Sequence, residues 1–210
     1  MARARSSCAM PAPFGAPTRV HRLPDTSTPA PDDSVDVPGP DVTGDQMLWA
    51  VYNDADPSRH FSDAGSTAPL GIEVQQSTLA FNQPGPLGRT VFLKFKLINR
   101  GANLLENAYV SIWSDPDLGD FTDDLVGCEP ALSLGFCYNA DNDDAIYGFS
   151  PPAVGYDFLR GPIGSGGTAL GMTSFSKFAS EAGGDPDHFS QVYSFMQGLN
   201  RDGTPVIDPT

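Results

Sequence analysis

Between Gly101 and Leu159 the chain carries eleven acidic side chains and not one lysine or arginine. They are Glu106, Asp115, Asp117, Asp120, Asp123, Asp124, Glu129, Asp141, Asp143, Asp144 and Asp157. Like charges at this density repel, so a compact fold must admit water to all of them or place cations among them. Two runs concentrate the oxygens. Asp115-Pro-Asp-Leu-Gly-Asp-Phe-Thr-Asp-Asp124 sets carboxylates around Gly119, and Asn139-Ala-Asp-Asn-Asp-Asp144 follows. Hard oxygen donors on turn-prone backbone suit Ca²⁺, which takes six to eight such ligands. The expected metal ligands are therefore Asp115, Asp117, Asp120, Asp123, Asp124, Asp141, Asp143 and Asp144. The first run is only loosely like an EF-hand loop, because Val126 stands where the closing Glu belongs. The bland alternative is a set of solvated acids and Asx-turn formers. A second acidic cluster, Asn53-Asp-Ala-Asp56 with Asp63, reads first as a plain turn.

Cys128 and Cys137 enclose eight residues within this span, while Cys8 lies near the start of the chain. No histidine or third cysteine is close in sequence to suggest zinc. The pair predicts a local disulfide, and with it an oxidising compartment. Such a bridge would tether the two acidic runs.

The rest of the sequence argues for strands. The chain has 22 Gly and 20 Pro among 210 residues, one position in five, and both residues interrupt helices. Residues 1–44 are rich in proline and lack periodicity, which predicts a disordered tail or linker. From residue 45 the pattern changes. Met47–Tyr52, Leu70–Phe81 and Thr90–Asn99 read as strands. In the last, Val91, Leu93, Phe95 and Leu97 share a face opposite Lys94 and Lys96. Ala108–Ser114 alternates again and is expected to pair with 90–99. Gly155–Leu159 and Met172–Phe178 are shorter strand candidates. One helix is expected over Asp185–Gly198, with Asp185 as N-cap, Pro186 in the first turn and a stripe of Phe189, Val192, Tyr193 and Met196. The expected fold is all-β: an antiparallel Ig-like or jelly-roll-like sandwich over 45–210 with a long acidic loop and a short C-terminal helix, the helix of about 181–210 either packing on the sandwich or beginning a further region.

Charge narrows the partners. Twelve Lys plus Arg against 26 Asp plus Glu give a net charge of -14. Such a surface repels nucleic acid and anionic lipid. No apolar run is long enough to span a bilayer. No catalytic constellation stands out. His21, His60 and His188 are the only histidines, and no Gly-x-Ser-x-Gly elbow, His-Glu-x-x-His pair or P-loop is present. Trp49, Trp113, Tyr138, Tyr147 and Tyr156 could stack on sugar, but their commoner use is packing.

Several runs together resemble one module of large secreted bacterial proteins. They are Trp49-Ala-Val-Tyr-Asn-Asp-Ala-Asp56, Pro69-Leu-Gly-Ile-Glu-Val-Gln-Gln76, Ser114-Asp-Pro-Asp-Leu-Gly119, Asp123-Asp-Leu-Val-Gly-Cys128, Leu132-Ser-Leu-Gly-Phe-Cys-Tyr-Asn139 and Pro151-Pro-Ala-Val-Gly-Tyr-Asp157. Those proteins often end in a type IX secretion sorting domain and carry fibronectin- or adhesin-like repeats. The resemblance covers roughly 44–210 and implies an extracellular or cell-surface setting and a longer parent polypeptide. The chain departs from the pattern in lacking a signal peptide and a sorting domain, as a truncated gene would. The expected function is a non-catalytic, Ca²⁺-stabilised structural or adhesive module with a glycan or protein partner at the cell surface. The alternative is a carbohydrate-binding module or accessory domain of a secreted hydrolase.

Overall fold

The computed structural model describes the strands at residues 4–7 and 20–22, then residues 42–164, 166–179 and 185–206. The described residues are mostly β, with antiparallel sheets and one short α-helix among them. In chain order the strands are β1 (Ala4–Ser7), β2 (Val20–Arg22), β3 (Gln46–Asn53), β4 (Phe61–Ser62), β5 (Gly65–Ser66), β6 (Ile72–Ala80) and β7 (Val91–Asn99). They continue as β8 (Asp124–Glu129), β9 (Leu134–Asn139), β10 (Asp143–Asp144), β11 (Gly148–Phe149), β12 (Val154–Asp157) and β13 (Ser176–Ala179), and the helix α1 is Phe189–Met196. Two pieces of the expected tail, β1 and β2, are thus strands. Apart from residues 42–44, the remainder of that tail lies outside the described residues. The chain divides into two units.

One unit (residues 12–60 and 67–104) holds a four-stranded sheet in the order β2-β3-β6-β7. The expected strands near 47–52, 70–81 and 90–99 all form here. On one face Val74, 2% exposed, is flanked by its register partners Tyr52 and Leu97. Lys94 and Lys96 point from the other face into solvent, as their alternation predicts. Val91, Leu93 and Leu97 on the apolar face also stay exposed. The turn into β6 is built on a buried acid. Both Asp54 carboxylate oxygens accept backbone amides: Leu70 N at 2.5 Å, Gly71 N at 3.0 and 3.2 Å, and Ile72 N at 2.7 Å. Gly71 sits at φ 80° in the left-handed region, which an L side chain would strain. The plain-turn reading of this acidic cluster therefore describes what Asp54 does.

The other unit (residues 1–11, 61–66 and 105–210) holds a three-stranded sheet, β12-β9-β8, and the two-stranded pairs β1-β13, β10-β11 and β4-β5. The β8-β9 hairpin falls inside the stretch expected to be a long loop. Its connection is a 3₁₀ turn over Pro130–Leu132, where Glu129 Oε1 accepts from Ala131 N at 3.2 Å and Ser133 takes a left-handed φ of 53°. The Phe136 ring lies over Gly127 across the ladder, and a Cβ at Gly127 would come within 2.6 Å of it. Conversely, the strand expected at Ala108–Ser114 does not form, and among the described residues β7 pairs with β6 only, its other edge left open. Alternation describes a face and does not by itself supply a pairing partner. Side chains hold the start of this segment instead: Tyr193 OH donates to Asn107 O at 2.7 Å, and Tyr109 meets Tyr193 edge-on at 5.5 Å.

The expected helix forms but starts later. His188, not Asp185, is the N-cap, its Nδ1 accepting from Ser190 N at 3.3 Å. Phe195 packs on Phe178 of β13 at 5.1 Å, and Ser174 and Ser176 hydroxyls donate to the Phe195 carbonyl. Arg201 closes on Asp187 and Gln191 beside the first turn.

Replacing Asp54 with Ala would strand three amides in a half-closed turn. Asp54→Ala is expected to lower stability by about 3 kcal/mol, read as a shift of the urea unfolding midpoint.

Candidate metal centre

The β8-β9 ladder decides which acids turn inward. Asp124 pairs with Asn139, Val126 with Cys137 and Cys128 with Gly135, while Val154 of β12 pairs with Cys137. Side chains alternate along each strand, so Asp124, Val126, Asn139, Cys137 and Val154 share one face. It is the covered face: Cys137 is 0% exposed, Asp124 2% and Asn139 7%. Leu125 and Tyr138 on the opposite face are exposed. A carboxylate and a carboxamide thus occupy core positions side by side.

Their polar atoms are poorly served. Asp124 Oδ2 accepts from Leu118 N at 3.0 Å. Asp124 Oδ1, Asp123 Oδ1 and both polar atoms of Asn139 are buried without a hydrogen-bond partner. Burial first, then the charges of Asp123, Asp117 and Asp144, raise the Asp124 carboxyl above its ordinary range, against the opposing pull of the Leu118 amide. Burial, with the Asp124 carboxylate second, pushes the neighbouring Cys137 thiol up to about 11.

Asp144 is the instructive contrast. It is 4% exposed, yet its oxygens accept from Asp120 N at 2.8 Å, Ile146 N at 2.8 Å and Tyr147 N at 2.6 Å. The amide of Asp120 and then that of Tyr147 lead in holding its carboxyl below the usual range. Gly119, at φ 85°, lets the chain pass over it, since a Cβ there would lie 2.2 Å from Asp144 Oδ1. The segment 118–120 therefore joins two buried carboxylates, giving Leu118 N to Asp124 and Asp120 N to Asp144.

The other expected ligands are distributed differently. Asp120 Oδ1 accepts from Thr122 N at 3.0 Å and Thr122 Oγ1 at 2.6 Å, a local turn. Asp115, Asp117, Asp141 and Asp143 are exposed, and Asp141 Oδ1 accepts from Asp143 N at 2.8 Å. Among the described residues no three Asp, Glu, His or Cys side chains converge closely enough to form a metal cluster by themselves. The buried polar atoms left without a partner belong to two carboxylates and one carboxamide, Asp123, Asp124 and Asn139. Asn139 was not among the expected ligands, because a neutral side chain does not register in a search for charge.

Cys128 and Cys137, the expected disulfide pair, are unbridged in the structure. Each faces a different partner across the ladder, two positions out of register. Diagonal neighbours of this kind sit about 7–8 Å apart between Cα atoms, beyond the usual disulfide span of about 4.4–6.8 Å. The hairpin's own hydrogen bonds, not a bridge, hold the two acidic runs together.

A search found no family model, curated protein or solved structure that matches the chain.

The lowered Asp144 pKa has a definite sign. Its native charge stabilises the fold above the ordinary carboxylate pKa, and that contribution is lost as pH falls through the lowered native value. Asp144→Asn is expected to be less stable than wild type at pH 7, with the gap closing on acidification below about pH 4, as urea denaturation across a pH series would show.

Proposed function

We propose that the chain is a non-catalytic structural or adhesive module of a longer secreted or cell-surface protein, and that Ca²⁺ stabilises its acidic region. One observation carries the calcium reading: a core carboxylate, Asp124, faces three other acids and has an unpartnered oxygen. No Lys or Arg lies between Gly101 and Leu159 to neutralise it from within that span. An external cation supplies what the sequence withholds. All-oxygen donors, including a carboxamide, on irregular backbone favour Ca²⁺, because Mg²⁺ demands a tighter octahedron and dehydrates reluctantly.

The setting follows from the resemblance of Ser114–Gly119, Asp123–Cys128 and Leu132–Asn139 to a module of secreted bacterial surface proteins. The antiparallel sheets support a β-sandwich within this reading. Partners at a surface would be proteins or glycans, and the net charge of -14 argues against nucleic acid. No helix among the described residues is long and apolar enough to cross a membrane. Tyr138 and Phe136 meet at 42°, so these touching rings offer no flat sugar platform, and the structural role is the one we favour.

A cation bound only by the native state stabilises it by mass action, about 2.7 kcal/mol at 100 times Kd. Extracellular calcium modules bind in the range of about 0.1–1 mM. The melting temperature is therefore expected to rise by several degrees in 10 mM Ca²⁺ and to return when chelator is added. Superimposable melting curves with and without Ca²⁺ would refute the calcium reading.

A further inference from the structure

The acidic span holds more carboxylates than one ion needs, and the fold separates them into classes. Asp144 and Asp120 spend oxygens on backbone amides and side-chain hydroxyls that shape the loops. Asp141 and Asp143 are exposed beside their own turn. Asp123, Asp124 and Asn139 are left with buried oxygens that nothing satisfies.

We propose that Asp123, Asp124 and Asn139 form the Ca²⁺ site itself, binding through the Asp123 and Asp124 Oδ1 atoms and the Asn139 carboxamide oxygen, with Asp117 drawn in as a fourth ligand. The site rests on the calcium reading above and gives it an address. Asp124 and Asn139 stand directly opposite across the ladder on the covered face. Side chains so opposed lie about 4.5–5.5 Å apart at Cβ, a spacing that lets two oxygens reach one ion. Asp123 is anchored beside them, its carbonyl accepting from Ala140 N at 3.0 Å. Asp117 is exposed, and it directly precedes Leu118, whose amide already bonds Asp124 Oδ2. Binding would satisfy three orphaned oxygens with one ion, leaving the Asn139 amide nitrogen to a water or a carbonyl. Waters and carbonyls would complete the coordination shell.

The geometry makes an unusual demand of the variants. Removing the charge at Asp124 relieves repulsion from its acidic neighbours, so Asp124→Asn should be at least as stable as wild type in chelator and yet lose its response to calcium. Asn139→Leu, which changes no charge and keeps the side chain's branching, should lose the response too. Asp143→Asn should keep it. Calorimetric titration with CaCl₂ alone, paired with melting curves, reads all four proteins. The expected result is one ion per wild-type chain, at least tenfold weaker binding in Asp124→Asn and Asn139→Leu, and wild-type binding in Asp143→Asn. If wild type binds Ca²⁺ and both core variants bind equally well, this site is wrong while the calcium reading stands. If wild type neither binds nor shifts, both fail. Should Asp124→Asn not fold, its carboxylate is a structural necessity rather than a penalised charge, which overturns the assignment as well. Asn139→Leu reads the remaining ligand independently.

Discussion

A strand with period two gives every second residue to the core, and in β8 one of those residues is Asp124. Much of what is distinctive in the 105–210 unit follows from that placement. The chain buries three carboxylates in its described residues, and it treats them differently. Asp54 receives the amides of three consecutive residues, and Asp144 receives three from two segments. Both are neutralised in effect by backbone dipoles, which is the least costly way to hold an anion out of water. Asp124 receives one amide, from Leu118, and faces three more acids. Leaving a buried anion this poorly solvated favours its protonated form, hence the raised pKa, or a bound cation. The sign is opposite to that of Asp144: deprotonating Asp124 costs stability as pH rises through its raised native value.

The sheet in the 12–60 and 67–104 unit was legible because its strands are long and their alternation is clean. Thr90–Asn99 places four apolar residues against two lysines, and the turn residues on either side are Pro, Gly and Asn. The β8-β9 hairpin was not legible, for a related reason. Gly135 and the polar residues at 124 and 139 dilute the pattern on the covered face, and Gly127 dilutes it on the other, so the run read as loop. Aromatic rings from elsewhere supply the missing bulk, with Phe136 over Gly127 and Phe175 over Gly135. Such compensation between non-adjacent positions is invisible to a window that slides along the chain. Ala108–Ser114 shows the converse failure, an alternating run that found no ladder.

The candidate site was half legible for reasons of the same kind. Charge density depends on composition alone, so the acidic span announced itself. Which oxygens converge depends on register, and register depends on pairing across the hairpin. The set of eight acids therefore contained Asp123 and Asp124 but could not rank them above Asp141 or Asp143. It also passed over Asn139, whose importance comes from standing opposite Asp124. The cysteines turn on the same point: eight intervening residues fit a bridge, but register sets their cross-strand partners two positions apart.

Burial also bears on what an ion at Asp124 could do. Calcium that bridges a protein to a sugar or a partner must keep coordination positions open to solvent. With Asp124 and Asn139 on the covered face beside Cys137, an ion held by them would have most of its shell supplied by the protein. Its effect would be internal, fastening β8 and β9 to the 117–120 segment, which in turn holds Asp144 through the amide of Asp120. The 143–149 hairpin would then be ordered at second hand. On the proposed assignment calcium acts as a rivet within the module rather than a contact to its partner, and any adhesive surface has to be sought elsewhere, among side chains whose exposure does not depend on the ion.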